Sequence, residues 1–247
     1  MKIPESHPRY KSLITREMLV DAFKEGVVVP EGLIAHGRGE TFDYIIGEVS
    51  RDFAIKAEEA AVALMLLSKN PVISVNGNAA ALVAKQLAEL SEVLNVPLEV
   101  NVFHWSKERV EKIARWLKSR GCKNVLWAGD AEIDGIDHYR RIVDRRGIFI
   151  ADTVMVMLED GDRCEILKKN GKKVIAIDLN PLSRTARMAD ITIVNNVVRA
   201  IPEMVEMAKR FANKDREFLL KTVENYDNRR ILKESINAII EYLQNFI

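Results

Sequence analysis

Four ionisable side chains occur within eight positions of segment 32–48, namely His36, Arg38, Glu40 and Asp43. Glycines on both sides of the arginine would let the backbone approach another group closely, so Arg38 could be held against an anion with His36 beside it. The alternative is a surface turn before a helix, in which the charges are solvated. The local pattern leaves both interpretations open.

The other residues of segment 32–48 sharpen these alternatives. The apolar residues 33–35 are typical of a buried segment. In the second interpretation Thr41 is the N-cap of the following helix. In the first interpretation the segment lies outside the predicted sheet and forms a wall over a ligand, with Arg38 close to the loop that begins at Asp178.

A short turn made of Asn76, Gly77 and Asn78 follows the apolar run 72–75 and precedes a predicted helix. The free N–H groups and the positive dipole end of a helix make such a turn a candidate phosphate cradle, and so a candidate substrate-binding site. It matches neither G-x-G-x-x-G nor a Walker A sequence. A tight turn with an asparagine cap explains it nearly as well.

Polar residues also follow two later apolar runs, and ligands of open α/β sheets bind beyond the carboxyl ends of the strands. Asp178 could accept hydrogen bonds from ribose hydroxyls, while Arg184 and Thr185 add donors for phosphate. Asn195 and Asn196 offer amides that could contact a base or a sugar. Each of these residues could also serve only as a turn or a cap.

Short apolar runs rich in β-branched residues alternate with amphipathic helices from position 71 onward. This alternation predicts a mostly parallel sheet covered by helices on both faces, which is a Rossmann-like α/β fold. The predicted strands are 72–75, 98–103, 124–127, 153–157, 173–177 and 191–194, and the predicted helices between them are 79–94, one capped by Ser106, 137–145 and 164–169.

Helical segments precede and follow this core, so three parts are expected. They are 1–70, which contains the ligand-binding stretch 32–48, the nucleotide-binding core 71–201, and the C-terminal helices 202–247. The first helix carries Arg16 away from its apolar stripe, a position where an arginine is usually solvated.

The last helix carries apolar residues separated by four, three and four positions: Leu232, Ile236, Ile239 and Leu243. Such a seam can pack on a second subunit or on the core of its own domain. The first possibility predicts a homodimer.

The composition limits the classes of ligand and location. The 247 residues include 37 Lys+Arg and 36 Asp+Glu, a net charge of +1 that is too balanced for general nucleic-acid binding. No apolar run approaches the ~20 residues of a membrane span. The N-terminus lacks the apolar core of a signal peptide, so a cytoplasmic location is expected. Two distant cysteines, Cys122 and Cys164, and histidines without zinc-ligand spacing predict neither a disulfide nor a structural metal.

Five motifs occur in the order Ser6-His-Pro-Arg-Tyr10 with Arg16, Gly32-Leu-Ile-Ala-His-Gly-Arg-Gly-Glu40 with Phe42-Asp43-Tyr44, Ser74-Val-Asn-Gly-Asn78, Leu158-Glu-Asp-Gly-Asp-Arg163 and Asp178-Leu-Asn-Pro-Leu-Ser-Arg-Thr185. Together they resemble the archaeal 4-phosphopantoate–β-alanine ligases, also called phosphopantothenate synthetases. The similarity extends over nearly the whole chain and is more specific than any single glycine loop.

The resemblance implies an ATP-dependent ligase of coenzyme A biosynthesis. Such an enzyme joins 4-phosphopantoate to β-alanine, releases AMP and pyrophosphate through an acyl-adenylate, and works as a homodimer with Mg²⁺. Arginines where the carboxylate meets ATP stabilise the charge of the transition state, which gives Arg38 a catalytic role. The nucleotide contacts that the resemblance implies are Arg16, Arg38, Asp178, Leu179, Asn180, Arg184, Thr185, Asn195 and Asn196.

Three narrower hypotheses accompany this resemblance. The turn at 76–78 would hold a phosphate, either of phosphopantoate or of ATP. His36 would orient substrate or assist proton removal from the β-alanine ammonium, or else have a structural role only. Asp43, Asp130 and Glu159 are all candidates to bind Mg²⁺, and the sequence singles out none of them.

Two other functions are alternatives to the ligase. A non-catalytic regulatory protein would bind ATP at the same sheet edge without forming AMP. A dinucleotide oxidoreductase is disfavoured because the turn after the first strand lacks the glycine fingerprint.

Overall fold

The computed structural model describes residues 3–135 and 137–245, and its centre is a six-stranded sheet. The strands are β1 Pro71–Val75, β2 Leu98–Val100, β3 Val125–Leu126, β4 Ala131–Glu132, β5 Ile142–Val143, β6 Thr153–Met157, β7 Lys173–Ile177 and β8 Ile191–Ile193. The sheet is parallel throughout and has the order β3-β2-β1-β6-β7-β8, while β4 and β5 form a separate antiparallel pair. The predicted α/β fold of the Rossmann-like type is confirmed.

Helices surround this sheet. They are α1 Tyr10–Lys24, α2 Pro30–Ile46, α3 Asp52–Leu67, α4 Gly77–Leu94, α5 Lys107–Lys118, α6 Gly161–Lys169, α7 Arg184–Met188, α8 Val197–Phe211, α9 Arg216–Glu224 and α10 Asn228–Asn245. No helix among the described residues is long and apolar enough to cross a membrane.

The strand order reverses at β1. The chain adds β2 and β3 on one side of β1 and later adds β6 on the other side, so Ile73 pairs with Leu98 on β2 and with Met155 on β6. The crevice at such a reversal is the usual ligand position in open parallel sheets. The gap between β1 and β6 is therefore the expected position of a site.

Successive residues of the central strands face opposite sides of the sheet, and both sides are covered. Ile73 and Met155 belong to a buried cluster that also contains residues of α3, α4, α5 and α8. Their neighbours Val72 and Val154 belong to a second cluster with Cys164 of α6. Burial on both faces explains why these strands are almost continuously apolar.

The terminal helices pack on the first of these clusters. Leu232 and Ile239 of the predicted seam in α10 contact the core of their own chain, whereas Leu243 is 46% exposed. Half of the seam is thus used within the subunit, and its role in a homodimer stays a prediction. The segment boundaries after residues 70 and 201 stay predictions as well.

Segment 32–48 does not form the turn of the second interpretation, because it lies almost wholly within the continuous helix α2. Pro30 starts the helix after an extended Val29, and Gly47 in the left-handed region ends it. The expected buried segment 33–35 is not buried throughout, since Ile34 is 72% exposed, and Thr41 lies inside the helix rather than at its N-cap. Packing against the core outweighs the low helix propensity of the two glycines around Arg38.

The predicted helix 137–145 is also wrong. A single 3-10 turn at Tyr139–Arg141 is followed by β5, which pairs with β4. A tertiary contact of Arg140, described below, and strand pairing outweigh the weak helical pattern of this segment. Smaller differences are that α4 begins at Gly77 rather than residue 79 and that β2 ends at Val100. Cys122 and Cys164 are free, buried thiols.

Candidate active site

A cleft of about 1060 Å³ opens at the carboxyl ends of the parallel strands and extends across β1 and β6. Its walls come from α2, the N-terminus of α4, the segment after β2, the 3-10 turn, and the loops after β6 and β7. The parallel sheet therefore gathers loops that are distant in sequence around one cavity.

Asn76 fixes the floor of the cleft. Its side-chain oxygen accepts a hydrogen bond from the N–H of Ala79 at 3.0 Å and so caps α4. Its amide donates to the carbonyl of Met157 at 2.7 Å, which ties the end of β1 to the end of β6. Both ends of the side chain are engaged, so Asn76 positions the turn, while the N–H groups of Gly77 and Asn78 have no helical acceptor.

Arg109 lies directly against the first turn of α4. A Cβ atom at Gly77 would lie 2.3 Å from the carbonyl oxygen of Val27 and 3.3 Å from Nη2 of Arg109, so only glycine fits there. The Arg109 Nη1 donates to the carbonyl of His104 at 2.8 Å, and its buried Nε has no partner among the described residues. A guanidinium and the positive end of a helix are thus adjacent.

A buried cluster of charges lies at the end of β6. Glu159 accepts a hydrogen bond from Nη1 of Arg140 at 2.6 Å and another from Nη1 of Arg163, which also donates to Ser74 at 3.2 Å. Arg163 is 0% exposed and Arg140 6%. Two arginines share one carboxylate, so the cluster has a net positive charge in surroundings of low dielectric. Arg140 and Glu159 both line the cleft.

The loop after β7 is held by Asp178. Its two carboxylate oxygens accept hydrogen bonds from the N–H of Asn180 at 2.9 Å and from the hydroxyl of Ser183 at 2.5 Å. Burial raises the pKa of Asp178, and these hydrogen bonds oppose the rise. The hydroxyl of Thr185 donates to the carbonyl of Glu159 at 2.6 Å and so links α7, which follows the loop after β7, to the loop after β6.

Arg184 begins α7 and lies at the mouth of the cleft. It is exposed and forms ion pairs with Asp162 and Glu165. A Cβ at Gly161 would lie 2.6 Å from the Cβ of Arg184, so the close approach of α6 to α7 depends on this glycine. Exposed ion pairs of this kind contribute little to stability, so Arg184 can exchange them for a ligand.

Helix α2 forms the wall opposite the Asp178 loop. Arg38 is exposed and lines the cleft, and its positive charge acts to lower the pKa of Asp178. A Cβ at Gly39 would lie 3.8 Å from a methyl group of Leu179. The segment thus forms the wall that the sequence predicted, with Arg38 and the Asp178 loop in the same subunit.

Asn195 and Asn196 are absent from the lining of the cleft and lie behind α2. The Asn196 amide donates to Asp43 at 2.7 Å, and Arg199 forms an ion pair with the same carboxylate at 2.5 Å. The Asn195 amide donates to the buried Glu58 at 3.0 Å. This network attaches α2 and α3 to the start of α8.

Arg16 and His36 also lie outside the lining of the cleft. Arg16 pairs with Glu40 at 2.9 Å and donates to the hydroxyl of Tyr44 at 3.0 Å. Burial lowers the pKa of His36, whose Nε2 has no partner among the described residues. The nucleotide contact expected of Arg16 and the catalytic role expected of His36 stay predictions.

Comparison with known proteins adds a decisive observation to this geometry. The profile of the Phosphopantothenate/pantothenate synthetase family matches residues 53–242. The chain belongs to this family. It is 51% identical over 245 residues to a protein of Thermococcus kodakarensis, covering 98% of this chain and 94% of the relative. It is 49% identical over 243 residues to a protein of Methanosarcina mazei, covering 98% and 96%. Both relatives are named 4-phosphopantoate--beta-alanine ligase.

Membership of the phosphopantothenate/pantothenate synthetase family confirms the resemblance that the five motifs indicated and identifies the chain as an enzyme. It also raises the question of a metal site. No group of three or more metal-ligating carboxylate, histidine or cysteine side chains exists in the described part of the chain. Asp43 and Glu159 are paired with arginines, and Asp130 accepts the N–H of Arg145 at 2.8 Å. The donor set fits only an ion held mainly by phosphate oxygens and water, as Mg²⁺ is beside nucleotides.

Sequence reasoning did not single out Arg109, Arg140 or His138, although all three line the cleft. Arg109 lies on the amphipathic helix α5, where an arginine resembles a solvated residue, and Arg140 lies in the segment that was predicted as a helix. One signal could have found Arg109. It follows the end of β2 closely, and the residues after parallel strands are the ones that line a ligand crevice.

Proposed function

We propose that this chain is the ATP-dependent ligase of coenzyme A biosynthesis that joins 4-phosphopantoate to β-alanine, with release of AMP and pyrophosphate. The observation that carries the proposal is the identity of about half of all positions with relatives named for that ligase. The compared region covers 98% of the chain and so includes the cleft. A regulatory protein that only binds nucleotide is not favoured.

The loop after β7 would hold the nucleotide. Asp178 lies at a strand end, where a carboxylate can accept ribose hydroxyls, and Leu179 and Asn180 extend the same edge of the cleft. Arg184 would exchange its exposed partners for phosphate oxygens, with Thr185 beside it. Arg38 would face the phosphates from the opposite wall.

Asn195 and Asn196 would act on the nucleotide through α2 rather than by contact. Their side chains are engaged with Asp43, Arg199 and Glu58, and α2 carries Arg38. The network therefore supports a positioning role for these two asparagines.

The first chemical step would be attack of the phosphopantoate carboxylate on the α-phosphorus of ATP. A carboxylate–phosphorus bond forms, the bond to the β-phosphate oxygen breaks, and pyrophosphate leaves with the electron pair. Two anionic reactants meet in this transition state. A guanidinium that lacks a carboxylate partner therefore stabilises the transition state more strongly than the ground state. Arg38 has no ion pair among the described residues and is the candidate for that role.

The second step would be attack of the β-alanine amine on the acyl-adenylate. The nitrogen–carbon bond forms, the bond from the carbonyl carbon to the phosphate oxygen breaks, and AMP leaves. The ammonium must lose protons before and during this attack. His36 lies outside the cleft lining, so its placement does not support its expected part in this proton transfer.

Mg²⁺ would supply charge neutralisation on the phosphates of ATP, held by those phosphates and by one or two carboxylates of the cleft. A homodimer and a cytoplasmic location are further parts of the proposal. The exposed Leu243 end of α10 supports the first as a surface available for contact.

The proposed function is tested by incubating the purified chain with ATP and Mg²⁺ and measuring AMP. Omission of either 4-phosphopantoate or β-alanine should abolish net AMP formation. Exchange of labelled pyrophosphate into ATP should require 4-phosphopantoate but not β-alanine. AMP that forms without the organic substrates, or no AMP with all of them, would rule out the ligase.

A further inference from the structure

Two polar side chains are buried on one face of β2 and its continuation. Glu99 and Asn101 are each 1% exposed, and residues two apart on a strand face the same side of the sheet. The N–H of Asn101 donates to the carbonyl of Val75 at 3.0 Å, so the extended backbone reaches this residue. Leu98 and Val100 face the other side and belong to the first buried cluster. Buried polar groups are costly unless they are hydrogen-bonded, so the partners of Glu99 and Asn101 indicate what the two side chains do.

Glu99 binds the backbone of the segment that follows β5. Its Oε1 accepts a hydrogen bond from the N–H of Asp144 at 3.0 Å, and its Oε2 accepts one from the N–H of Ile148 at 2.6 Å. A Cβ atom at Gly147 would overlap with Oε2 of Glu99, so only glycine allows this close approach. The carboxylate is therefore inserted into a turn of the main chain and fixes the position of that turn.

Asn101 binds the same segment four residues earlier. Its amide donates to the carbonyl of Ile142 at 2.9 Å and to the carbonyl of Arg140 at 3.4 Å. Nη1 of Arg140 in turn donates to the main-chain carbonyl of Asn101 at 3.4 Å. Asn101 thus contacts both the backbone and the guanidinium of Arg140.

Segment 140–148 has little regular structure that could fix its path. It consists of the end of a three-residue 3-10 turn, the two-residue strand β5 and a short turn in which Gly147 is not helical. Backbone polar groups of such a segment need partners outside it when they are buried. Glu99 and Asn101 supply several of these partners from the rigid central sheet.

Arg140 is the residue of this segment that lines the cleft. It is 6% exposed and forms an ion pair with Glu159 at 2.6 Å. A guanidinium can stabilise anionic reactants only from the correct position. A displacement of about 1 Å in such a group can lower a rate by about 100-fold. The contacts that place segment 140–148 can therefore affect the reaction without touching a reactant.

We propose that Glu99 and Asn101 are positioning residues of the ligase reaction, which hold segment 140–148 against β2 and so place the guanidinium of Arg140 in the cleft. The proposal rests on the proposed ligase function. It gives a role in that reaction to two side chains that lie outside the lining of the cleft.

The test compares Glu99→Gln with Asp152→Asn. Each substitution keeps the size of the side chain and replaces a carboxylate that accepts two backbone N–H groups. Asp152 accepts those of Lys69 at 2.7 Å and Asn70 at 3.1 Å, but it precedes β6 and so lies at the end of the sheet opposite the cleft. AMP formation would be measured well below the lowest Tm of the variants, with ATP and β-alanine saturating and 4-phosphopantoate varied.

Glu99→Gln should lower kcat/KM for 4-phosphopantoate by about 10- to 100-fold, because Arg140 is displaced. Asp152→Asn should change kcat/KM by less than about 3-fold, even where it lowers Tm, because it lies far from the cleft. Asn101→Ala removes the second set of contacts and should lower kcat/KM by a similar factor to Glu99→Gln. It also keeps the inference testable if Glu99→Gln does not fold.

A double-mutant cycle separates positioning from general damage to the fold. Arg140→Lys keeps the charge beside Glu159 and removes the planar guanidinium, so little remains to be positioned. In this background Glu99→Gln or Asn101→Ala should lower kcat/KM further by less than about 3-fold.

Additive losses in the cycle would overturn the inference, because they would indicate a structural role that does not act through Arg140. An unchanged kcat/KM in folded Glu99→Gln and folded Asn101→Ala would overturn it as well. Both results would leave the ligase function standing. A wild type that forms no AMP would instead refute the proposed function.

Discussion

The ion pair between Arg199 and Asp43 ties α2, which carries Arg38 into the cleft, to the start of α8. The substitution Arg199→Met removes the guanidinium but keeps most of the side-chain volume. It leaves the Asp43 carboxylate, 7% exposed, with the amide of Asn196 as its remaining described hydrogen-bond partner. Removing one partner of a buried ion pair costs about 3–5 kcal/mol.

Solvent screening places the expected loss at the low end of that range. The side chain of Arg199 is 21% exposed, so about 3 kcal/mol is expected. For a chain of this size 1 kcal/mol corresponds to about 2–4 °C, and Tm should fall by about 6–12 °C. Arg210→Met, at an exposed position of the same helix, should change stability by no more than about 0.5 kcal/mol.

Thermal unfolding of four proteins separates charge pairing from packing. They are the wild type, Arg199→Met, Asp43→Asn and the double variant. The double variant should be more stable than Arg199→Met alone, with a coupling of at least about 1 kcal/mol, because it buries no unpaired carboxylate. The KM for ATP should rise in Arg199→Met well below its Tm, since α2 is no longer held. Additive losses of stability, or an unchanged KM for ATP, would refute this account.

Three further predictions concern substitutions of single residues. Burial raises the pKa of Glu58 to about 9, so the folded chain keeps a proton on Glu58 at pH values where the unfolded chain has released it. The free energy of unfolding should therefore fall as the pH rises from about 5 to 9, by up to about 1.4 kcal/mol per pH unit. Glu58→Gln should flatten the dependence of Tm on pH. Parallel curves for the two proteins would contradict it. Gly77→Ala would place a Cβ 2.3 Å from a backbone oxygen and should lower the free energy of unfolding by about 1–3 kcal/mol. Gly37→Ala, in the middle of a helix with no other atom within 4 Å of the new Cβ, should raise it by about 0.5–1 kcal/mol. Denaturant unfolding measures both effects. Equal effects of the two alanines would show that the contact at Gly77 is unimportant. Arg38→Ala should leave Tm unchanged and slow pyrophosphate exchange by about 100-fold or more, and an unchanged exchange rate would remove Arg38 from the mechanism.

The sheet was predictable from sequence because its strands are buried on both faces. Continuous apolar runs at β1, β6 and β7 have few other interpretations when helical patterns separate them. The preference for right-handed crossovers predicts the strand order only in part. The reversal of strand order at β1, which creates the crevice, could be seen only in the structure.

The fate of segment 32–48 shows where local pattern fails. The two glycines around Arg38 suggest a turn. Packing against the core and Pro30 at the first position of α2 nevertheless keep them in a helix. The sequence also does not reveal which residues pair with the buried carboxylates. Asp43 and Glu159, two of the candidates to bind Mg²⁺, are paired in the structure with Arg199, 156 positions after Asp43, and with Arg140. Sequence separation hides such pairs because only the tertiary fold brings them together.

The most direct measurement of the central claim, that this cleft activates an acid on ATP, uses 4-phosphopantoate labelled with oxygen-18 in its carboxylate. Mass spectrometry of the nucleotide product after one turnover shows which bonds formed and broke. Attack of the carboxylate on the α-phosphorus predicts AMP that carries one labelled oxygen, with none in pyrophosphate. Unlabelled AMP, or label recovered in inorganic phosphate together with ADP, would contradict the account.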